Sequence, residues 1–178
     1  EISMNKKNVL NVMTKIEDYP RIPHSFTVAE ALEELVKYSN KGYRHILVFD
    51  ERFKLVGVLS LRDLLRDLEP GLFKTKWASK FQGLMTEDDS LLAVMWEDAF
   101  FSNCRKQMKR KISEILEPVK IITVEPNIPL ISALFLMLKE NVNALPVLEK
   151  GVVIGVIRLG DIVKEILKTC ENSEEVSN

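Results

Sequence analysis

Two stretches of the sequence combine residue types that suit the binding of a phosphorylated sugar. The first is Gly57 to Asp63, and the second, at matching positions, is Gly155 to Asp161. A strand that passes through a glycine can approach a ligand closely, because there is no Cβ. Ser60 then begins a helix, whose N–H groups and dipole favour a phosphate. Asp63, one turn into that helix, can accept hydrogen bonds from both hydroxyls of a ribose.

The second stretch departs from the first at two positions. Arg158 stands where the first stretch has Ser60, and Gly160 stands where it has Arg62. A hydroxyl contact is therefore lost, and a cation that could pair with a phosphate is gained. We expect the two sites to differ in affinity or in preferred ligand, and one of them could be empty.

Simpler roles exist for the same residues. Asp63 and Asp161 could be first-turn carboxylates that only stabilise a helix N-terminus, each by about 0.3–1 kcal/mol. Ser60 could be only an N-cap. Arg44 and Arg158 could be ordinary surface charges. What favours a ligand role is that the two stretches are matched in position.

The composition excludes several classes of protein. The chain has 178 residues, of which 46% are hydrophobic and 29% charged, and its net charge is -1. These values are typical of a globular protein and provide no general attraction for nucleic acid or an anionic membrane. There is no run of eighteen apolar residues, and the first residues are polar. We therefore expect a cytoplasmic protein with no membrane partner.

No pattern in the sequence indicates catalysis or a metal site. Cys104 and Cys170 lie far apart without CxxC or Cys/His spacing, so we expect free thiols. The only histidines, His24 and His45, do not form a cluster. A Ser-His-Asp order, a P-loop, a dinucleotide fingerprint and an HExxH motif are all missing. We predict that the protein is not an enzyme and has no catalytic cofactor.

The elements that position the two stretches form an internal repeat. Each half has an amphipathic helix, then two apolar strands joined as a hairpin, then a second helix, so the fold class is α+β with two tandem βαββα units. Thr27 and Glu30 form a capping box that begins the first helix. In the second half Pro129 suits the first turn of the matching helix, and Asn141 suits its end. Units of about sixty residues bury too little surface to be stable alone, so we expect them to pair.

Four regions follow from this pattern. We assign residues 8–69 to the first repeat, 70–111 to an inserted helical segment, 112–170 to the second repeat and 171–178 to a flexible tail. Asp88 or Asp89 could cap a helix that runs to about Lys109. As a hypothesis, this helix covers the module or forms a dimer contact; alternatively it packs only against its own chain. Its basic end, Arg105 to Lys111, is a weak indication of nucleic-acid binding.

The duplicated pattern resembles the cystathionine-β-synthase (CBS) domain. The residues that carry the resemblance are Gly57 to Asp63, Gly155 to Asp161 and the Leu145-Pro146-Val147 strand. The resemblance implies a pair of repeats with pseudo-two-fold symmetry. It also implies that the aspartate holds a ribose, that the Ser or Thr lies near phosphates, and that the base is gripped by the first strand and the start of the second. Those base-binding segments are Tyr19 to Ile22 with Arg44 to Ile46 in one site, and Ile121 to Val124 with Asn143 to Leu145 in the other.

The function that the resemblance implies is regulatory. We expect the cleft between the repeats to bind AMP, ADP, ATP or a related adenosyl ligand, and we expect a homodimer that acts on an effector protein. The alternatives are a dimerisation module without a small ligand and an enzyme that acts on the bound nucleotide. The ligand-binding residues implied are Ile22, Arg44, His45, Ile46, Ser60, Asp63, Thr123, Asn143, Ala144, Leu145, Arg158 and Asp161.

Overall fold

The computed structural model describes residues 7–68, 97, 100–118 and 120–174, with the side chains of 172–174 left aside. Within these ranges the fold is α+β, as the sequence predicts, with two three-stranded sheets. The chain divides into two compact units: a continuous unit of residues 20–119 and a discontinuous unit of residues 1–19 and 120–178. The first residues of each assigned repeat, 8–19 and 112–119, therefore belong to the unit that contains most of the other repeat. The pseudo-two-fold arrangement stays a prediction.

The continuous unit has one sheet and the helices of the first repeat. Strand β2 (Arg21–Pro23) runs parallel to β3 (His45–Phe49), and β3 runs antiparallel to β4 (Leu55–Ser60), with His45 opposite Ser60 at one end of that pair. The predicted capping box is confirmed, because the Thr27 N–H donates to Glu30 Oε2 over 2.7 Å and the Glu30 N–H donates to Thr27 Oγ1 over 3.2 Å. The elements are β2 (Arg21–Pro23), α1 (Val28–Ser39), β3 (His45–Phe49), β4 (Leu55–Ser60), α2 (Leu61–Leu68) and α3 (Ile112–Ile115).

The described end of the inserted segment packs on this same unit. Residues 100–107 are helical, and Cys104 is buried in the core of the continuous unit with Phe100 and Met108 packed nearby. The backbone carbonyls of Met108 and Arg110 accept hydrogen bonds from the first N–H groups of α1. Contact with its own chain is thus confirmed for this end. The predicted start of the helix at Asp88 or Asp89 lies outside the described residues.

The discontinuous unit has the same order of helix, hairpin and helix as the continuous unit, but the third strand of its sheet is placed differently. Its sheet has β6 (Val152–Arg158) in the middle, between β1 (Thr14–Lys15) and β5 (Ala144–Glu149), so a strand from early in the sequence completes the sheet of the second repeat. Val124 is only bridged to Val147, where the continuous unit has β2. Pro129 lies at the N-cap position, one residue before the first helical turn in which it was predicted. Asn141 ends this helix in the left-handed conformation, at φ 54°, and its predicted role as the stop is confirmed. The elements are β1 (Thr14–Lys15), α4 (Leu130–Glu140), β5 (Ala144–Glu149), β6 (Val152–Arg158) and α5 (Leu159–Glu174).

Each unit has its own apolar core. Leu35, Ile46 and Leu64 are almost fully buried in the continuous unit, as are Met137 and Ile157 in the discontinuous one. Burying each such side chain contributes roughly 1.5–3 kcal/mol. Among the described residues, no helix has the length and hydropathy needed to cross a membrane. The matched stretches of sequence lie at two strand-to-helix junctions, one in each unit.

Candidate ligand-binding site

The first junction, residues 60–63, lies where β4 leads directly into α2. Asp63 Oδ2 accepts hydrogen bonds from the Ser60 N–H over 2.8 Å and from the Ser60 hydroxyl over 2.6 Å. Ser60 Oγ in turn accepts from the Asp63 N–H over 3.3 Å. This is a capping box, so the capping role considered for both residues is confirmed. Their ligand role stays a prediction, but the box holds the carboxylate in one orientation.

His45 and Arg44 lie beside the first junction. His45 faces Ser60 across the β3–β4 pair and is half-buried, whereas Arg44 is exposed. Burial lowers the pKa of His45, because a buried imidazole loses hydration of its charged form. The negative charge of Asp63 opposes this change in pKa, and the positive charge of Arg44 adds to it. Four of the predicted residues thus gather at one end of the sheet.

The remaining predicted residues of the continuous unit, Ile22 and Ile46, lie inside it. Their side chains are 3% and 0% exposed and belong to the core. The Pro20 carbonyl, just before β2, accepts a hydrogen bond from the Leu47 N–H of β3. Strand β2, which contains Ile22, therefore runs directly beside β3. A ligand at the surface of this unit would lie above these buried side chains. Contacts from Ile22 and Ile46 to a ligand would therefore come mainly from the backbone.

The second junction, residues 158–161, has a different chemistry. Arg158 Nε donates to Asp161 Oδ2 over 2.7 Å, and Arg158 Nη2 donates to Asp161 Oδ1 over 2.8 Å. The two side chains are 26% and 12% exposed, so this bidentate ion pair is largely shielded. The cation that the sequence offers to a phosphate is thus already engaged by the neighbouring carboxylate. Opposite charges three residues apart at a helix start are the local signal for such a pair.

Strand pairing places two of the other four predicted residues of the discontinuous unit beside this ion pair. Ala144 faces Arg158 across the β5–β6 pair, and the carbonyl of exposed Asn143 accepts a hydrogen bond from the Leu159 N–H. Leu145 is fully buried in the core. Thr123 is half-buried and precedes the bridge between Val124 and Val147. Strand pairing therefore brings Asn143 and Ala144 to the second junction.

Asp67 adds a second carboxylate to the first junction, which sequence reasoning missed. It lies one turn after Asp63 on α2, and burial is the main cause of its raised pKa. The negative charges of Glu117 and Asp63 raise the pKa further, while Arg66 and Arg110 oppose them. The four-residue spacing on one helix face was the available signal. Within the described ranges, no group of three His, Cys, Asp or Glu residues could hold a metal ion.

A protein-family model identifies the two repeats. The model for the CBS domain matches residues 9–70 and 92–168, which is most of the chain. The chain belongs to the CBS-domain family. The expected resemblance is therefore confirmed, and the two junctions are the strand-to-helix turns of two CBS repeats.

Similar proteins include one curated relative and two solved structures. The CBS domain-containing protein CBSX1, chloroplastic, of Arabidopsis thaliana is 30% identical over 88% of this chain, which spans 62% of that relative. CBSX2 in complex with AMP is 24% identical, with a TM-score of 0.62, over 91% of this chain and 97% of that one. The CBS domain of a bacterial CNNM/CorC family Mg²⁺ transporter, in complex with ATP, is 20% identical, with a TM-score of 0.60 over 92% and 89% of the two chains. These likenesses confirm the fold.

Proposed function

We propose that this protein is a non-catalytic regulatory module that binds an adenine nucleotide, or a related adenosyl ligand, through its CBS repeats. The observation that carries the proposal is the first junction. There a carboxylate, fixed by its own capping box, lies at the start of a helix beside a half-buried histidine. The arrangement combines an acceptor for a ribose diol with N–H donors for a phosphate.

Asp63 has acceptor capacity left for a sugar. A carboxylate has about four lone-pair sites, and the two bonds from Ser60 both reach Oδ2. No residue in the described ranges donates to Oδ1. A ribose could therefore bind at Oδ1 without breaking the capping box. Because the box already fixes the carboxylate, less conformational entropy is lost on binding.

The base and the phosphates have plausible partners at the same junction. The start of β3, from Arg44 to Ile46, and the neighbouring strand around Ile22 would hold the base. Arg44 is exposed at this end of the sheet and its guanidinium suits a phosphate. Two of the structural relatives carry AMP and ATP, which supports an adenine nucleotide as the ligand class here.

Regulation follows if the ligand prefers one arrangement of the assembled protein. A ligand can shift an equilibrium only by its difference in affinity between two states. We propose a homodimer that engages an effector protein. Exposed apolar side chains at helical spacing support a protein contact: Phe135 and Leu138 on α4, and Val163 and Leu167 on α5. These same residues favour the second candidate function, a dimerisation module without a small ligand.

Thermal melting against a panel of ligands tests the proposal. The panel is AMP, ADP, ATP, S-adenosylmethionine, NADH and cyclic dinucleotides, each at several concentrations. A ligand that binds only the folded state raises the melting midpoint with concentration. We expect an adenosyl ligand to do so, and prolonged incubation followed by chromatography should recover it unchanged. If no member of the panel shifts the midpoint, the dimerisation module is the better interpretation; turnover of a bound nucleotide would indicate an enzyme.

A further inference from the structure

The two junctions can be compared position by position, because they occupy the same place in each repeat. Ser60 and Arg158 are both the last residues of their strands, and each faces the first residue of the preceding strand, His45 or Ala144. Asp63 and Asp161 follow three residues later, in the first turn of their helices. The residue that can bond directly to this aspartate from the strand end is therefore Ser60 in one junction and Arg158 in the other.

At the first junction the carboxylate of Asp63 is half-buried and accepts hydrogen bonds from Ser60. Both donors to Asp63 come from Ser60, and both are electrically neutral groups. The negative charge is not cancelled by these bonds, so hydroxyl groups that reach the carboxylate form charge-assisted hydrogen bonds. The first junction is thus suited to a neutral donor pair such as a ribose diol.

At the second junction a guanidinium already takes the place of that diol. Arg158 presents two parallel N–H groups, one to each oxygen of Asp161, at 2.7 and 2.8 Å. Charge-assisted bonds are roughly twice as strong as neutral ones. With Asp161 only 12% exposed, solvent weakens the pair little. Ribose hydroxyls would have to displace a cation with neutral donors and break this bidentate ion pair.

We propose that Arg158 closes the second junction to ribose, so that each chain binds one adenine nucleotide, held by Asp63. This inference rests on the proposed function and adds which repeat holds the ligand and which residue excludes it from the other. Arg158 is therefore a specificity-determining residue: by its ion pair with Asp161, it sets the number of ligands bound per chain.

Calorimetric titration with AMP measures the number of ligands directly. We expect one AMP per wild-type chain and two per chain after Arg158→Ser, which places the first junction's own residue at the second. Arg158→Thr supplies the same hydroxyl if the serine variant folds poorly, and circular dichroism checks folding of both. Arg158→Lys, which keeps a positive charge beside Asp161, should remain at one AMP per chain. Asp63→Asn should weaken AMP roughly ten- to a hundredfold, whereas Asp161→Asn should change its affinity less than about twofold, since that carboxylate binds no ligand here.

The possible failures are distinguishable. If the wild-type protein binds two AMP per chain, or if Asp161→Asn rather than Asp63→Asn abolishes binding, the inference is overturned while the proposed function stands. One AMP per chain in folded Arg158→Ser and Arg158→Thr also overturns it, because Arg158 then does not exclude the ligand. If the wild-type protein binds neither AMP nor any other member of the adenosyl panel, the proposed function itself fails.

Discussion

Leu116 fills the space beside Gly57: a Cβ added to that glycine would lie 2.7 Å from Leu116 Cδ2. The space beside the matching glycine is also filled: a Cβ added to Gly155 would lie 2.5 Å from the Thr14 carbonyl oxygen and 2.8 Å from the Met13 sulfur. From sequence, the missing Cβ was interpreted as room for a ligand. In both units the close approach is made by the chain itself, by Leu116 in the continuous unit and by Met13 and Thr14 in the discontinuous one.

Substitution of these glycines should therefore destabilise the protein by different amounts. Gly57→Ala meets the end of a flexible side chain, and overpacking of this kind costs about 1–3 kcal/mol. Gly155→Ala meets a backbone oxygen, which cannot rotate away, so we expect a loss at or above the top of that range. Urea unfolding measures both, and Leu116→Ala should partly rescue Gly57→Ala. Additive effects in that double mutant would contradict the contact.

Removal of the Asp63 carboxylate should weaken nucleotide binding. For Asp63→Ala we expect a loss of about 1.5–3 kcal/mol in binding free energy, the range for hydrogen bonds to a charged group. Calorimetry with AMP is the measurement. Glu30→Ala is the matched control, because Glu30 has the same capping-box role with Thr27 on α1. Both variants should lose helix-cap stability, but only Asp63→Ala should bind more weakly; equal affinity in mutant and parent would remove Asp63 from the site.

Mild acid should destabilise the fold through His45. Burial lowers the pKa of this imidazole in the folded state, so the unfolded chain takes up its proton first as the pH falls below about 6.5. The free energy of unfolding then decreases with falling pH until the folded pKa is reached. Denaturant titrations between pH 7.5 and 5.5, values set by that ordinary pKa of roughly 6.5, should show this slope in the wild-type protein. In His45→Gln the slope should be smaller, and identical slopes would count against a buried neutral imidazole.

Local patterns were sufficient to predict most elements. The capping box of Thr27 and Glu30, the left-handed stop at Asn141 and the apolar hairpins all reflect interactions between residues close in sequence. They appear in the structure within a residue or two of their expected positions. The α+β class and the family were predictable for the same reason, since two copies of one pattern reinforce each other.

Pairings between distant segments were not predictable in this way. The pairing of Thr14 and Lys15 with β6 joins residues more than a hundred positions apart, and a strand of two residues has no detectable period. The segment is also held by Lys7, whose ammonium pairs with Glu165 on α5. The ion pair of Arg158 with Asp161 did have a local signal, the spacing of opposite charges. The sequence pattern nevertheless predicted Arg158 as a phosphate ligand or a surface charge and did not predict its pair with Asp161.

The predicted homodimer can be tested on helix α4. Phe135 and Leu138 lie one turn apart and are 66% and 63% exposed, which leaves a large apolar area in water unless a partner covers it. We expect Phe135→Glu to shift the protein from dimer to monomer in analytical ultracentrifugation, because a charge buried in such an interface is costly. Phe53→Glu is the control, since Phe53 is 87% exposed at a hairpin tip and should tolerate the charge without dissociation. A Phe135→Glu dimer as tight as the parent would show that this face of α4 is not the contact.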